Sequence, residues 1–257
     1  MNSLIKSFLI LVATAFVATS ALADGHEEPS LLTQHYTLKA KPGHYGQLMA
    51  ALKAHTEWRK ENGDPWAWEL YSPQTGGRLD EVDIRSSGHH WADLDAYNGS
   101  EFQRNAGAHY LETVAPHVAD IYTVIDAWDP EISAWPEGGP DYKLFDLSHY
   151  WLKPGHYQQW RAAVKKIHDI LQAAEWPETY GFTRLVSGGS VPQVTLVLPR
   201  TSWADMEEPE PSAQDVTREA LGEEESNKLW AAFIGAVAKT KTEVVQHRPE
   251  LSVPAAE

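Results

Sequence analysis

The amino-acid sequence predicts an α+β fold in which two tandem β-α-β-β-α-β modules close into an intramolecular α/β barrel. Three observations carry this. A long segment recurs at a constant offset, the hydrophobic period changes in the same order within each copy, and each module leaves one sheet face without helices of its own to cover it.

Self-similarity at this scale decides the architecture. Lys41-Pro42-Gly43-His44-Tyr45 recurs as Lys153-Pro154-Gly155-His156-Tyr157, and Trp91-Ala92-Asp93 recurs as Trp203-Ala204-Asp205. Between these ends 16 of 53 aligned positions are identical with no gap, including Pro65 with Pro177 and Gly76-Gly77 with Gly188-Gly189. The pairs His35-Tyr36 and His149-Tyr150 match when two residues are skipped. The second copy then carries an insertion, Glu207-Glu208-Pro209-Glu210-Pro211, and both copies end alike on Pro130-Glu131-Ile132-Ser133 and Pro249-Glu250-Leu251-Ser252. These landmarks place the first module at residues 32–133, a linker of turn formers at 134–140 and the second module at 141–253.

Within each copy, residues 35–39 and 147–152 read as a short strand that Pro-Gly ends. Leu48, Leu52 and His55 then recur at helical spacing, as do Tyr157, Trp160, Val164, Ile167 and Leu171. A hairpin follows around each Gly-Gly, at 65–71 with 79–84 and at 179–186 with 191–198. Second helices are expected at 101–118 and 213–238, and closing strands at 122–128 and 242–246. This order is the split βαβ unit, with both helices on one face of a four-stranded antiparallel sheet. The other face is expected to be apolar, and two such faces can cover one another within one chain.

On this order and on the strand–Lys-Pro-Gly–helix segment, the sequence resembles the dimeric α/β-barrel superfamily of ferredoxin-like modules. Within it, the pattern looks most like NIPSNAP-type and antibiotic-biosynthesis-monooxygenase-type members. The resemblance implies a small-molecule site, and a cofactor-free oxygenase or isomerase as one function that such a site serves. Some relatives bind haem through a helix histidine, for which His109 is the nearest candidate.

The N-terminus has the three parts of a secretory signal: a positive charge at Lys6, an apolar run from Phe8 to Val17, and Ala21-Leu22-Ala23. The apolar run is shorter than the ~20 residues a spanning helix needs. Cleavage after Ala23 would leave residues 24–31 as a flexible lead and place the protein in the periplasm or outside the cell. Loss of Lys6 takes the formal charge from -15 to -16, which repels nucleic-acid phosphates and anionic lipid. Cysteine is absent, so disulfides, thiolate nucleophiles and cysteine-ligated metals are excluded. The partner that the resemblance implies is a small-molecule ligand, with a homo-oligomer left open and no cofactor named by any motif.

Candidate site residues come from histidine and aromatic placement. His89 and His90 stand where the third strand ends, and the second copy has Thr201 and Ser202 there, so histidine chemistry at this place belongs to the first copy. Alternation lets only one of them point inward unless Gly88 makes a bulge. Trp66 and Trp68, two apart, could wall an aromatic pocket, as could Tyr180 with Arg184 in the second copy. His44 and His156 begin helices, where imidazole stays neutral and able to act as a base or ligand, but Pro-Gly-His-Tyr can equally be a retained turn. His109 and Glu112 share a helix face without a third metal ligand, His26-Glu27-Glu28 lies in the acidic lead, and His55 and His168 sit on or beside the apolar stripe as packing residues. The proposed pocket thus has His89 or His90 as catalytic base and Trp66, Trp68, His44, Tyr180 and Arg184 as ligand-binding residues. A metal or haem protein and a non-catalytic interaction module are the other classes. Mass spectrometry of the protein recovered from the periplasm is expected to give an N-terminus at Asp24, and a chain retaining Met1 would contradict export by cleavage.

Overall fold

The computed structural model describes residues 31–136 and 141–254. The expected signal segment, His26-Glu27-Glu28 and the end of the linker lie outside them. The first module runs β1 (Leu32–Ala40), α1 (Tyr45–Glu61), β2 (Glu69–Pro73), β3 (Glu81–His89), α2 (Trp91–Asn98), α3 (Glu101–Thr113) and β4 (Val118–Trp128). The second runs β5 (Leu144–Leu152), α4 (Tyr157–Ala173), β6 (Gly181–Ser187), β7 (Gln193–Arg200), α5 (Ala213–Leu221), α6 (Glu223–Gly235) and β8 (Val237–His247).

The retained Lys-Pro-Gly-His-Tyr segments are structural devices. Gly43 and Gly155 stand at φ +78° and +79°, a left-handed conformation that favours glycine. The preceding lysines cap carbonyls at the far end of the module's helical layer: Lys41 Nζ donates to the Pro116 carbonyl at 2.7 Å, and Lys153 Nζ to the Gly235 carbonyl at 2.6 Å. One segment therefore turns the strand into the helix and ties it to the end of the last helical segment.

The eight strands form a closed barrel in the order β1-β3-β2-β8-β5-β7-β6-β4. The modules meet edge to edge, β2 on β8 and β4 on β6, so closure removes every free edge. Their tails are exchanged. Val253, beyond β8, pairs with Trp68 of the first module at 2.7 and 2.8 Å, and Ala134, beyond β4, pairs with Tyr180 of the second at 2.8 and 3.0 Å.

Several expectations are corrected. The ladders place Thr37 opposite Asp83 and His149 opposite Thr195, so the repeat runs ungapped through the first strand. Thr37, not His35, is therefore the counterpart of His149. The helix expected at 213–238 breaks into α5 and α6 at Gly222, whose φ is +80°. Trp66 precedes β2, because Asp64 accepts the Trp66 backbone N–H at 3.0 Å and holds this stretch in a loop.

The largest correction concerns the barrel interior, which is strongly polar toward one end instead of uniformly apolar. A cavity of about 340 Å³ there is lined by residues of β1 and β3–β8, including His35, Tyr122, His149, Lys241 and Glu243. Across it Arg78, from the β2–β3 hairpin, makes bidentate pairs with two buried carboxylates: Asp83 at 3.0 and 2.8 Å, and Glu243 of the other module at 3.0 and 2.9 Å. Thr37 donates to Asp83 at 2.7 Å, while His149 Nε2 lies 3.0 Å from Glu243. Burial alone would raise the Glu243 carboxyl, but the bonds from His149 and Arg78 and the charges of Arg78 and Lys241 outweigh it and hold it at about 2. Burial would raise the Asp83 carboxyl as well, but the nearby His35, 3.4 Å away, and the bonds and charge of Arg78 outweigh it and drive it well below the carboxylate range.

Arg78→Met leaves both carboxylates buried without their shared cation and is expected to cost about 3–5 kcal/mol in urea unfolding. Because both carboxyls are depressed on folding, their stabilisation is complete above the ordinary carboxylate range. It is expected to fade as pH drops from about 4.5 toward 2 in the wild type.

Candidate functional site

The first module opens a cleft of about 180 Å³ between α1, α3 and the outer sheet face, with Tyr36, His55, Arg59, Trp68, Gln103 and Tyr110 among its walls. Its position follows from the α1 stripe. Leu48 and Leu52 bury against the sheet, and the next two turns of the same face present His55 and then Arg59. An apolar helix face thus ends in two polar side chains over the sheet.

Arg59 is positioned from several sides. Its Nε donates to Asp64 Oδ2 at 2.6 Å, Nη2 donates to the Tyr97 hydroxyl, and the guanidinium lies 5.0 Å from the Trp68 ring centroid. Tyr97 in turn donates to Asp64 Oδ1 at 3.1 Å. Arg59 Nη1 approaches His55 Nε2 at 3.3 Å, and because arginine only donates, Nε2 must accept. The His55 proton therefore sits on Nδ1 and is donated to His109 Nδ1, 2.8 Å away. Burial, reinforced by the neighbouring Arg59 and His109, lowers the His55 pKa to about 3, so the imidazole is neutral. Two buried polar atoms at the cleft lack a hydrogen-bond partner: Gln103 Oε1 and Trp68 Nε1.

Of the residues proposed from the sequence for the site, Trp68 lines this cleft and the others lie elsewhere, whereas His55, expected to be a packing residue, lines it. Trp66 stacks at 3.9 Å on Tyr97 and at 3.7 Å on His89. His89 is buried in that stack. Ser86 Oγ donates to the Ala67 carbonyl at 2.6 Å, so it accepts from His89 Nε2 at 2.7 Å. His90 is exposed, and its backbone N–H is taken by Asp93 as α2 begins. Gly88, at φ +88°, makes the bulge that separates the two histidines, and neither lines the cleft.

His44 faces His117, Nδ1 to Nδ1 at 3.2 Å, and half-buried His156 contacts the Pro154 carbonyl. Tyr180 pairs with His168 at 2.9 Å in the second module, while Arg184 is exposed with its guanidinium 5.9 Å from the Tyr157 ring centroid. His109 supports His55 and stacks on Trp58 at 4.9 Å instead of lining the cleft. Among the described residues no cluster of three metal-ligating side chains occurs.

Sequence reasoning passed over Arg59, Asp64, Tyr97 and Gln103. The available signal was the contrast between copies: His55 and Arg59 answer to Ile167 and Leu171 in the repeat, polar against apolar on one helix face.

No family model and no curated protein matches the chain. Solved structures do match its fold. An anthrone oxidase-like protein is 13% identical with a TM-score of 0.55, covering 90% of this chain and 95% of its own. A protein assigned as a monooxygenase from Lactobacillus acidophilus NCFM is 8% identical with a TM-score of 0.54, covering 88% and 97%. A mutant chlorite dismutase from Candidatus Nitrospira defluvii is 9% identical with a TM-score of 0.51, covering 86% and 92%. The chain thus has the dimeric α/β-barrel fold of ferredoxin-like modules, with both halves in one polypeptide.

The folded His55 pKa lies below the ordinary 6.5, so the unfolded chain binds the extra proton and stability is lost as pH falls from 6.5 toward 3. NMR of the folded protein is expected to show the His55 imidazole neutral, with its proton on Nδ1, down to pH 4. A midpoint near 6.5 would refute the Arg59–His55–His109 arrangement.

Proposed function

We propose that this protein is an exported small-molecule-binding protein whose site is the first-module cleft. Its ligand is a mostly apolar molecule of about one aromatic ring carrying one polar or anionic group. The observation that carries the reading is convergence: Arg59, neutral His55 and an unpartnered Gln103 oxygen meet in a cavity otherwise walled by apolar and aromatic side chains. A cleft of about 180 Å³ suits one ring, since an apolar cavity of roughly 150 Å³ accommodates benzene. Export rests on the N-terminal sequence.

A second reading, a cofactor-free oxygenase or isomerase acting on the same class of molecule, draws support from the names of the monooxygenase and anthrone oxidase-like neighbours. It requires a group that accepts a proton near neutral pH. His55, at about 3 and with its Nε2 held by Arg59, does not meet that requirement, and this favours binding as the primary activity.

Gly107 lines the cleft, and a Cβ there meets open space, so Gly107→Phe is expected to fill the cavity from α3. Benzoate and 4-hydroxybenzoate are expected to raise the wild-type Tm and to leave that of Gly107→Phe unchanged. A ligand at about 100 times its Kd adds about 2.7 kcal/mol, a shift of a few degrees. Equal shifts in the two proteins, or none in the wild type, would sink the reading.

A further inference from the structure

The second module has a cavity at the equivalent place, about 200 Å³, between α4, α5, α6 and the outer sheet face. Its walls differ from those of the first cleft in a specific way. The positions of His55 and Arg59 are held by Ile167 and Leu171, and that of Trp68 by Tyr180. Several polar atoms on its large side chains are spent. Tyr180 hydroxyl and His168 Nδ1 satisfy one another at 2.9 Å, Trp176 Nε1 donates to the Pro211 carbonyl at 2.9 Å, and Trp230 Nε1 donates to Thr217 at 2.8 Å. The Pro211 contact brings the insertion peculiar to the second copy to the cavity rim. Tyr150, Trp176, Trp230 and Phe233 remain half-buried around the space, leaving apolar surface uncovered.

We infer that the second module carries a second ligand site of different selectivity, taking a neutral apolar molecule of about one aromatic ring. Volume supports this, because an apolar cavity of roughly this size stays dry and binds benzene. Chemistry supports it as well: an anion entering here would lose its hydration and find no cation, a penalty that neutral rings do not meet. Duplication has thus produced two non-equivalent sites, one that holds a polar group beside Arg59 and one that rejects it. The chain is expected to bind two chemically different molecules at once.

Toluene and benzoate, titrated separately and together by isothermal calorimetry against the wild type, Ala213→Trp and Gly107→Phe, test this. Ala213 lines the second cavity and Gly107 the first. Toluene is expected to bind the wild type, to weaken by about tenfold or more in Ala213→Trp, and to be unchanged in Gly107→Phe or by saturating benzoate. Absence of toluene binding, its loss in Gly107→Phe alone, or its displacement by benzoate would overturn the second site. The benzoate arm reports separately on the first-module reading, so the two can fail independently. Should Ala213→Trp not fold, Trp230→Ala enlarges the cavity and is expected to strengthen naphthalene binding about tenfold, and an unchanged affinity would count against the site.

Discussion

The paired carboxylates around Arg78 are the interaction on which the barrel depends. Asp83 belongs to one module and Glu243 to the other, both are buried, and the guanidinium of the first module's hairpin bridges them. Buried ion pairs seldom add net stability over an apolar alternative, but they penalise every arrangement that separates them. Here the penalty falls on any docking of the two modules other than the observed one. The hairpin glycines fit the same requirement: Gly76, at φ +81°, turns the chain beside Glu243, with an added Cβ at 4.0 Å from the Glu243 Cβ.

Joining the modules in one chain frees the two halves to diverge. The Arg78 network is not repeated, since Ser190, Thr195 and Val124 occupy the positions equivalent to Arg78, Asp83 and Glu243. The same divergence separates the clefts. On α1 the helix face ends in His55 and Arg59, supported by Asp64 and Tyr97, whereas on α4 it continues as Ile167 and Leu171 into an apolar core with Trp160. A pseudo-symmetric scaffold therefore presents one polar and one apolar pocket.

Much of the fold was legible in the sequence because repetition exposes it. The ungapped offset, the Pro-Gly turns and the Gly-Gly hairpins fall on structural features with local causes, such as the positive φ of Gly43 and Gly155. The site was less legible because its residues meet through tertiary contacts. Asp64 holds Arg59 from a loop, Tyr97 reaches it from α2, and His109 reaches His55 from α3, none at a spacing that marks a motif. His89 and His90 drew attention as a pair, yet the Gly88 bulge sends one into an aromatic stack and the other into solvent. The polar barrel interior was not legible either. The helix-free face was expected to be apolar, whereas His35, Thr37 and Lys39 on β1 and Lys241 and Glu243 on β8 line the closed interior.

The most direct test of the first-module site is anomalous scattering from crystals soaked in 4-iodobenzoate. The ring is expected between α1, α3 and the sheet, with its carboxylate beside Arg59 and Trp68 Nε1 and the iodine in the same cleft. Iodine found only on the surface or inside the barrel, with the cleft empty, would contradict it.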